Sequence, residues 1–198
     1  MKTKIINAPD LKKAMSVNKG ETIINNASSS HFEDLQKLVN GKTYYIRTYG
    51  CQANVRDEET MRGMFEKVGY QPVNEPEEAD VIIINTCAVR ENAEDKVYGE
   101  IGNLKYLRKK NKKLVLAICG CMVEQPEILK RVMDTFPEVN LFFGTHEIHQ
   151  LYDLIYEVLT KEERVVSIES KAGEVVEQLP ACRNNRFKAF VNIIFDIF

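Results

Sequence analysis

Three cysteines, Cys51, Cys87 and Cys121, stand about 35 residues apart, and each follows a short apolar run with strand character. The runs cover residues 43–49, 80–85 and 114–118, and each is succeeded by a stretch with helical periodicity. Strands of one parallel sheet end at a common edge, so the three thiols would converge there although the chain separates them widely. Converging thiols in a reducing compartment bind a metal ion or an iron–sulfur cluster. A single cysteine is ordinarily a small buried hydrophobe; three in equivalent strand-end positions argue against that reading.

Three thiolates fall one short of the usual four ligands of a 4Fe–4S cluster or of structural zinc. Either a fourth ligand comes from elsewhere or one iron stays open to a small molecule. Cys119 and His146 are the nearby candidates. Cys119 ends the third strand two residues before Cys121 and is expected to pack inward. His146 lies in a strand-end loop, where a hydrogen-bonding role is expected. Cys182 falls in a linker and is left unassigned.

The composition narrows the alternatives. The formal net charge of −2 gives no electrostatic reason for tight binding of nucleic acid. No run approaches the ~18 apolar residues of a membrane span, and the first residues lack the apolar stretch of a signal peptide. A cytoplasmic location is therefore expected, where the odd count of five cysteines does not read as a disulfide framework. The three histidines, His31, His146 and His149, are too dispersed for a triad, and neither a Gly-x-Gly-x-x-Gly nor a Gly-Lys-Ser/Thr phosphate loop occurs.

The positioning elements follow from periodicity. Residues 1–41 are polar and read as a flexible extension with a short helix over 31–39. The main domain spans 42–160. Its first helix is expected over 54–68, capped by Asn54 and stopped by Gly69, with Met61, Met64, Phe65 and Val68 forming a core stripe. Four consecutive apolar residues, Val81, Ile82, Ile83 and Ile84, suggest a strand buried on both faces. A second helix over 91–110 places Val97, Ile101, Leu104 and Leu107 on one side and ends in Arg108, Lys109 and Lys110. That basic run reads as a solvated helix end, with an RNA-facing patch as the alternative. A third helix starts near Glu124, a strand covers 139–143, a fourth helix 148–159 and a last short strand 165–168. The alternation implies an α/β fold: a doubly wound, mainly parallel, flavodoxin-like sheet with helices on both faces. Residues 161–186 read as a linker with a possible short strand, and 187–198 as a further apolar strand.

Four motifs in order carry a resemblance. They are Tyr49-Gly50-Cys51-Gln52-Ala53-Asn54, Asn85-Thr86-Cys87-Ala88-Val89-Arg90-Glu91-Asn92-Ala93, Cys119-Gly120-Cys121-Met122 and Phe143-Gly144-Thr145-His146. Together they resemble the N-terminal domain of the methylthiotransferases over about residues 42–191. The subgroup they resemble most is that of the tRNA-2-methylthio-N6-dimethylallyladenosine synthases, with Ala53 standing where that family commonly has Met. The resemblance implies that Cys51, Cys87 and Cys121 bind one auxiliary 4Fe–4S cluster whose open iron holds the sulfur species to be transferred. It implies a tRNA partner, a sulfur donor, a monomer and no membrane. It also implies a radical S-adenosylmethionine barrel with a second 4Fe–4S cluster on a Cys-x-x-x-Cys-x-x-Cys triplet, followed by an RNA-binding domain.

Residues 188–193 resemble the first strand of that barrel, and no such triplet follows. The resemblance thus implies a chain truncated ahead of the radical motif and inactive alone. The family reaction would add a methylthio group to dimethylallyladenosine beside the anticodon. Sister subgroups act on another tRNA adenosine or on a ribosomal-protein aspartate. A standalone flavodoxin-like binding module with unliganded cysteines is the reading from a different class.

Overall fold

In the computed structural model, residues 3–5, 30–88, 93–161, 163–168 and 179–183 are described. Chain order is β1 (Thr3–Ile5), α1 (Phe32–Val39), β2 (Thr43–Tyr49), α2 (Gln52–Val68), β3 (Gln71–Pro72), β4 (Val81–Thr86) and α3 (Ala93–Lys110). It continues with β5 (Val115–Gly120), α4 (Pro126–Thr135), β6 (Leu141–Phe143), α5 (Leu151–Lys161) and β7 (Arg164–Ser167). Short 3-10 turns lie at Pro76–Glu78 and Ile148–Gln150.

The apolar runs explain the layering. Every residue of β4 and β5 is buried, so these strands have no water-facing side and must be covered by helices above and below. Alternate side chains enter two separate cores. Val81 and Ile83 join Val115, Ala117 and Cys119 against α1, α2 and α5. Ile82 and Ile84 join Leu116 and Ile118 against α3 and α4. The stripe Met61, Met64, Phe65 and Val68 is at most 2% exposed. Burial of each such side chain contributes about 1.5–3 kcal/mol. Gly69 ends α2 in the left-handed region at φ 111°, its N–H reaching the carbonyls of Phe65 and Glu66.

The strands form one seven-stranded sheet, β1-β7-β6-β5-β4-β2-β3, with every neighbouring pair parallel. With helices on both faces, it is the doubly wound, flavodoxin-like arrangement expected from the alternation. The chain first moves outward from β2 to the edge strand β3, then returns to lay β4 on the other flank of β2. Strand order reverses between β2 and β4.

Within residues 1–41, the described parts lie against this sheet. β1 pairs with β7. α1 buries Leu35 and Val39 in the core, and His31 stacks on Tyr156 with its Nδ1 2.7 Å from Asp153 Oδ1. Residues 179–183 lie along α2, where Cys182 N–H donates to the Glu59 carbonyl at 2.9 Å. The expected strand over 187–198 lies outside the described residues.

One expectation needs adjustment. Asn54 does not cap α2: the helix begins at Gln52, and Cys51, in extended conformation, is its N-cap. Asn54 is the third helical residue, and its side chain folds back to accept the Cys51 N–H at 3.1 Å, the return half of a capping box. The basic run at the end of α3 lies at the opposite end of the sheet from the cysteines. There Lys109 pairs with Glu138 at 3.2 Å, and Arg108 Nη1 donates to the Lys112 carbonyl, as the solvated-end reading expects. No helix among the described residues is long and apolar enough to cross a membrane.

Candidate functional site

Register places the cysteines. Tyr49 pairs with Thr86, and Thr86 pairs with Gly120. One step further along, Cys87 follows the central strand β4 and is flanked by the ends of β2 and β5. Cys51 and Cys121 leave from those flanking ends. Strand order reverses between β2 and β4, and α2 and α3 cover opposite faces. The crevice at such a reversal is where open α/β sheets bind ligands.

Two of the thiols are neighbours. Cys87 is buried, and its thiol acts electrostatically on that of Cys121. Cys121 Sγ accepts the Ala88 N–H at 2.9 Å and lies 3.8 Å from the Thr86 carbonyl. Burial pushes the Cys121 thiol up to about 11. The Ala88 N–H pulls it down, and Cys87 and Glu124 push it further up. Cys51 stands at the N-terminus of the 17-residue α2 and turns its thiol to Asn54 Oδ1 at 3.4 Å. Among the described residues, no three His, Cys, Asp or Glu side chains gather as a single metal ion requires. A cluster binds each thiolate at a separate iron, so it does not need three sulfurs at one point. A helix N-terminus, a backbone N–H aimed at sulfur and partial burial suit an anionic, thiolate-ligated group.

The other cysteines and His146 are elsewhere. Cys119 is fully buried, 3.9 Å from Met61 Sδ, and burial holds its thiol well above the usual range, with Asp57 and Glu124 adding to the effect. It packs inward, as expected. His146 is exposed on the loop after β6. Its carbonyl lies 2.7 Å from His149 Nδ1. Cys182 is on the far side of α2, beside Glu59 and Glu66.

Several residues at this edge carry no metal-ligand signal in sequence. Asn54 and Asn85 form a buried amide pair between the ends of β2 and β4. Gly120 sits at φ 98°, and a Cβ there would collide with the backbone of Thr86. Glu124 Oε1 accepts from both the N–H and the hydroxyl of Thr145, at 2.7 and 2.6 Å, tying the loop after β5 to the loop after β6. Asp57 is buried one and a half turns into α2. Burial lifts its carboxyl to about 6, against the pull of Arg56. The available signal was polarity out of place: Asn85 and Thr86 extend a strand that is otherwise Val and Ile.

Comparison with known proteins shows the family. The family model described as "Uncharacterized protein family UPF0004" matches residues 43–144, which include all three strand-end cysteines. A tRNA-2-methylthio-N(6)-dimethylallyladenosine synthase of Bacillus subtilis is 47% identical over 163 residues, covering 82% of this chain and 32% of that protein. Proteins of the same name from Bacillus pumilus and Geobacillus kaustophilus are 45% and 44% identical, covering 94% and 98% of this chain and 36% of each relative. The chain thus spans about a third of the length of the curated relatives it matches. It belongs to the UPF0004 family, the N-terminal domain family of the methylthiotransferases.

Proposed function

We propose that this chain is the auxiliary-cluster part of a radical S-adenosylmethionine methylthiotransferase acting on tRNA. The observation that carries the proposal is the placement of Cys51, Cys87 and Cys121 at the ends of three adjacent strands flanking the sheet's reversal point. These three residues would hold one 4Fe–4S cluster. When bound, that cluster would supply the iron chemistry that holds a sulfur for transfer.

The chain's own residues orient and shield. The first turn of α2 brings backbone N–H groups, that of Asn54 among them, toward the Cys51 sulfur. The Ala88 N–H stabilises negative charge on the Cys121 sulfur. Met122 and Val123, the two residues after Cys121, are buried in the core shared with α3 and α4 and anchor the loop that carries it. The names of the relatives favour N6-dimethylallyladenosine beside the anticodon as the substrate and its 2-methylthio derivative as the product. The sequence contains no Cys-x-x-x-Cys-x-x-Cys triplet. S-adenosylmethionine and a second 4Fe–4S cluster would therefore engage other parts of the family enzyme, and these 198 residues alone would not complete the reaction. On this reading residues 42–160 are the cluster-binding domain, 161–186 the linker and 187–198 the start of the barrel. The tRNA would be gripped by other parts too, since the basic run of α3 points away from the cysteine edge. The protein would act in the cytoplasm as a monomer, fed by a sulfur donor.

Anaerobic incubation with ferrous iron and sulfide should load about four irons per chain, with the broad absorbance of a thiolate-bound cluster. Cys51→Ala, Cys87→Ala and Cys121→Ala should each lose most of that iron. Unchanged iron and sulfide in all three variants would refute the assignment.

A further inference from the structure

We infer that Asn54 and Asn85 are positioning residues: a buried amide pair that holds the Cys51 turn against the end of β4, keeping the third thiol within reach of Cys87 and Cys121. The inference rests on the cluster reading above for its biological use, although the placement it describes can be tested without iron.

Asn54 is 2% exposed and Asn85 1%. Two amides buried this deeply need partners, and they find them in each other and in the cysteine turns. Asn54 Oδ1 accepts the Cys51 N–H at 3.1 Å and faces its thiol at 3.4 Å. Asn54 Nδ2 donates to Asn85 Oδ1 at 3.1 Å and to the Thr86 carbonyl at 3.0 Å. Asn85 Nδ2 donates back to the Asn54 carbonyl at 2.8 Å and reaches Thr48 Oγ1 at 3.5 Å. The Thr86 carbonyl is shared: it also lies 3.8 Å from Cys121 Sγ. A continuous polar path thus runs from Cys51 through Asn54 and Thr86 to Cys121, past the residue that precedes Cys87.

Packing alone does not ask for this arrangement. An apolar pair of the same shape would stabilise the sheet about as well. Directed hydrogen bonds add a fixed distance and orientation between two strand ends, and outer partners of metal ligands serve that purpose. Asn140 provides the contrast. It is 5% exposed, its Oδ1 accepts the Leu116 N–H at 2.8 Å, and it lies at the other end of the sheet with no cysteine nearby.

Crosslinking by dibromobimane tests the placement without iron. The reagent alkylates two thiols that lie a few ångströms apart, forming two C–S bonds as two bromides leave. In the reduced wild-type chain, peptide mapping should find Cys51 joined to Cys87 or Cys121. Asn54→Ala and Asn85→Ala should lower that crosslink severalfold and weaken iron binding by about tenfold or more. Asn140→Ala should lower the melting temperature comparably and leave crosslinking and iron binding at the wild-type level. If Asn54→Ala does not fold, Asn54→Asp, of the same shape but without the Nδ2 donors, carries the same expectation. Wild-type crosslinking in the folded Asn54 and Asn85 variants would overturn the inference, whatever happens with iron, as would a wild-type chain in which Cys51 joins neither partner. A wild-type chain that crosslinks but assembles no cluster would overturn the cluster reading and leave the positioning role standing.

Discussion

Replacing Asp57 by asparagine should stabilise the protein, and by an amount that depends on pH. Asp57 lies in α2 and is 8% exposed, with Arg56 as its ion-pair partner at 3.6 Å. Burial outweighs that partner. It lifts the carboxyl from the ordinary 3.8 to about 6; Glu124 adds to the rise, and His146 works against it. An unfolded chain releases this proton near pH 3.8, whereas the folded chain keeps it until about pH 6. Between those values the folded state binds more protons, so stability from this group falls as pH rises and levels off above about pH 6. The interval corresponds to about 3 kcal/mol at 1.36 kcal/mol per tenfold change in the ionisation constant. The amide introduced by Asp57→Asn has the same shape, carries no charge and undergoes no such loss. The variant should therefore match wild type near pH 4 and exceed it by up to about 3 kcal/mol at pH 7–8. Urea unfolding followed by far-UV circular dichroism across pH 4–8 measures this; the chain has no Trp, so tryptophan fluorescence is not an option. Other carboxylates titrate in the same range and cancel in the difference between the two proteins. A difference that stays flat from pH 4.5 to 7.5 would refute the reasoning.

Two further substitutions probe neighbouring contacts. Gly120→Ala puts a side chain on a backbone with φ 98° and against the Thr86 main chain. It should cost at least about 1–3 kcal/mol in unfolding free energy and reduce iron loading by shifting Cys121; full stability and full loading together would contradict the close approach. Gly63→Ala should favour α2 by about 1 kcal/mol through helix propensity, yet its Cβ would lie 2.7 Å from the backbone of Pro180 and Ala181. That contact should release residues 179–183, breaking the bond from Cys182 N–H to Glu59 and freeing Cys182 from the burial and the Glu66 carboxylate that hold its thiol above the usual range. Iodoacetamide labelling of Cys182 at neutral pH, located by mass spectrometry, should accelerate severalfold, and an unchanged rate would show that the segment stays docked.

How much of this was legible in the sequence depended on which signal each residue carried. The buried runs of β4 and β5 and the stripe of α2 were plain because several apolar residues repeated the same period. The three cysteines were plain because each ended such a run. Asn54 was legible only as a helix-start residue, and its place was wrong by one turn. Asn, Asp and Ser at a helix start all read as caps, whereas Cys51 capping its own helix has no common sequence pattern. The role of Asn85 depends on its pairing across 31 residues with Asn54, and long-range polar pairing leaves no periodic trace. α1 read as part of an extension because its core-facing residues, Leu35 and Val39, are few. Its burial depends on α2 and α5, which are distant in sequence.

The spacing of the cysteines follows from the same topology. A cytosolic metal site is often built from cysteines two residues apart on one turn, so its geometry is local. Here each thiol comes from a different strand–helix unit, and the gap between them is about the length of one unit. Such a site exists only when the sheet is assembled in register, because a slip of one residue would turn the end of a strand to the other face. The buried polar residues lie where this requirement is strictest. Asn85 and Thr86 occupy the last two positions of β4, and Thr86 Oγ1 donates to the Cys119 carbonyl at 2.6 Å on the side of β5. On the side of β2, Asn85 reaches Thr48 and Asn54. Apolar contacts among Val and Ile would tolerate small slides between neighbouring strands; these directed bonds would not. The end of β4 is thus bonded on both flanks just before Cys87, and these polar pairs fix the alignment that the apolar core leaves loose.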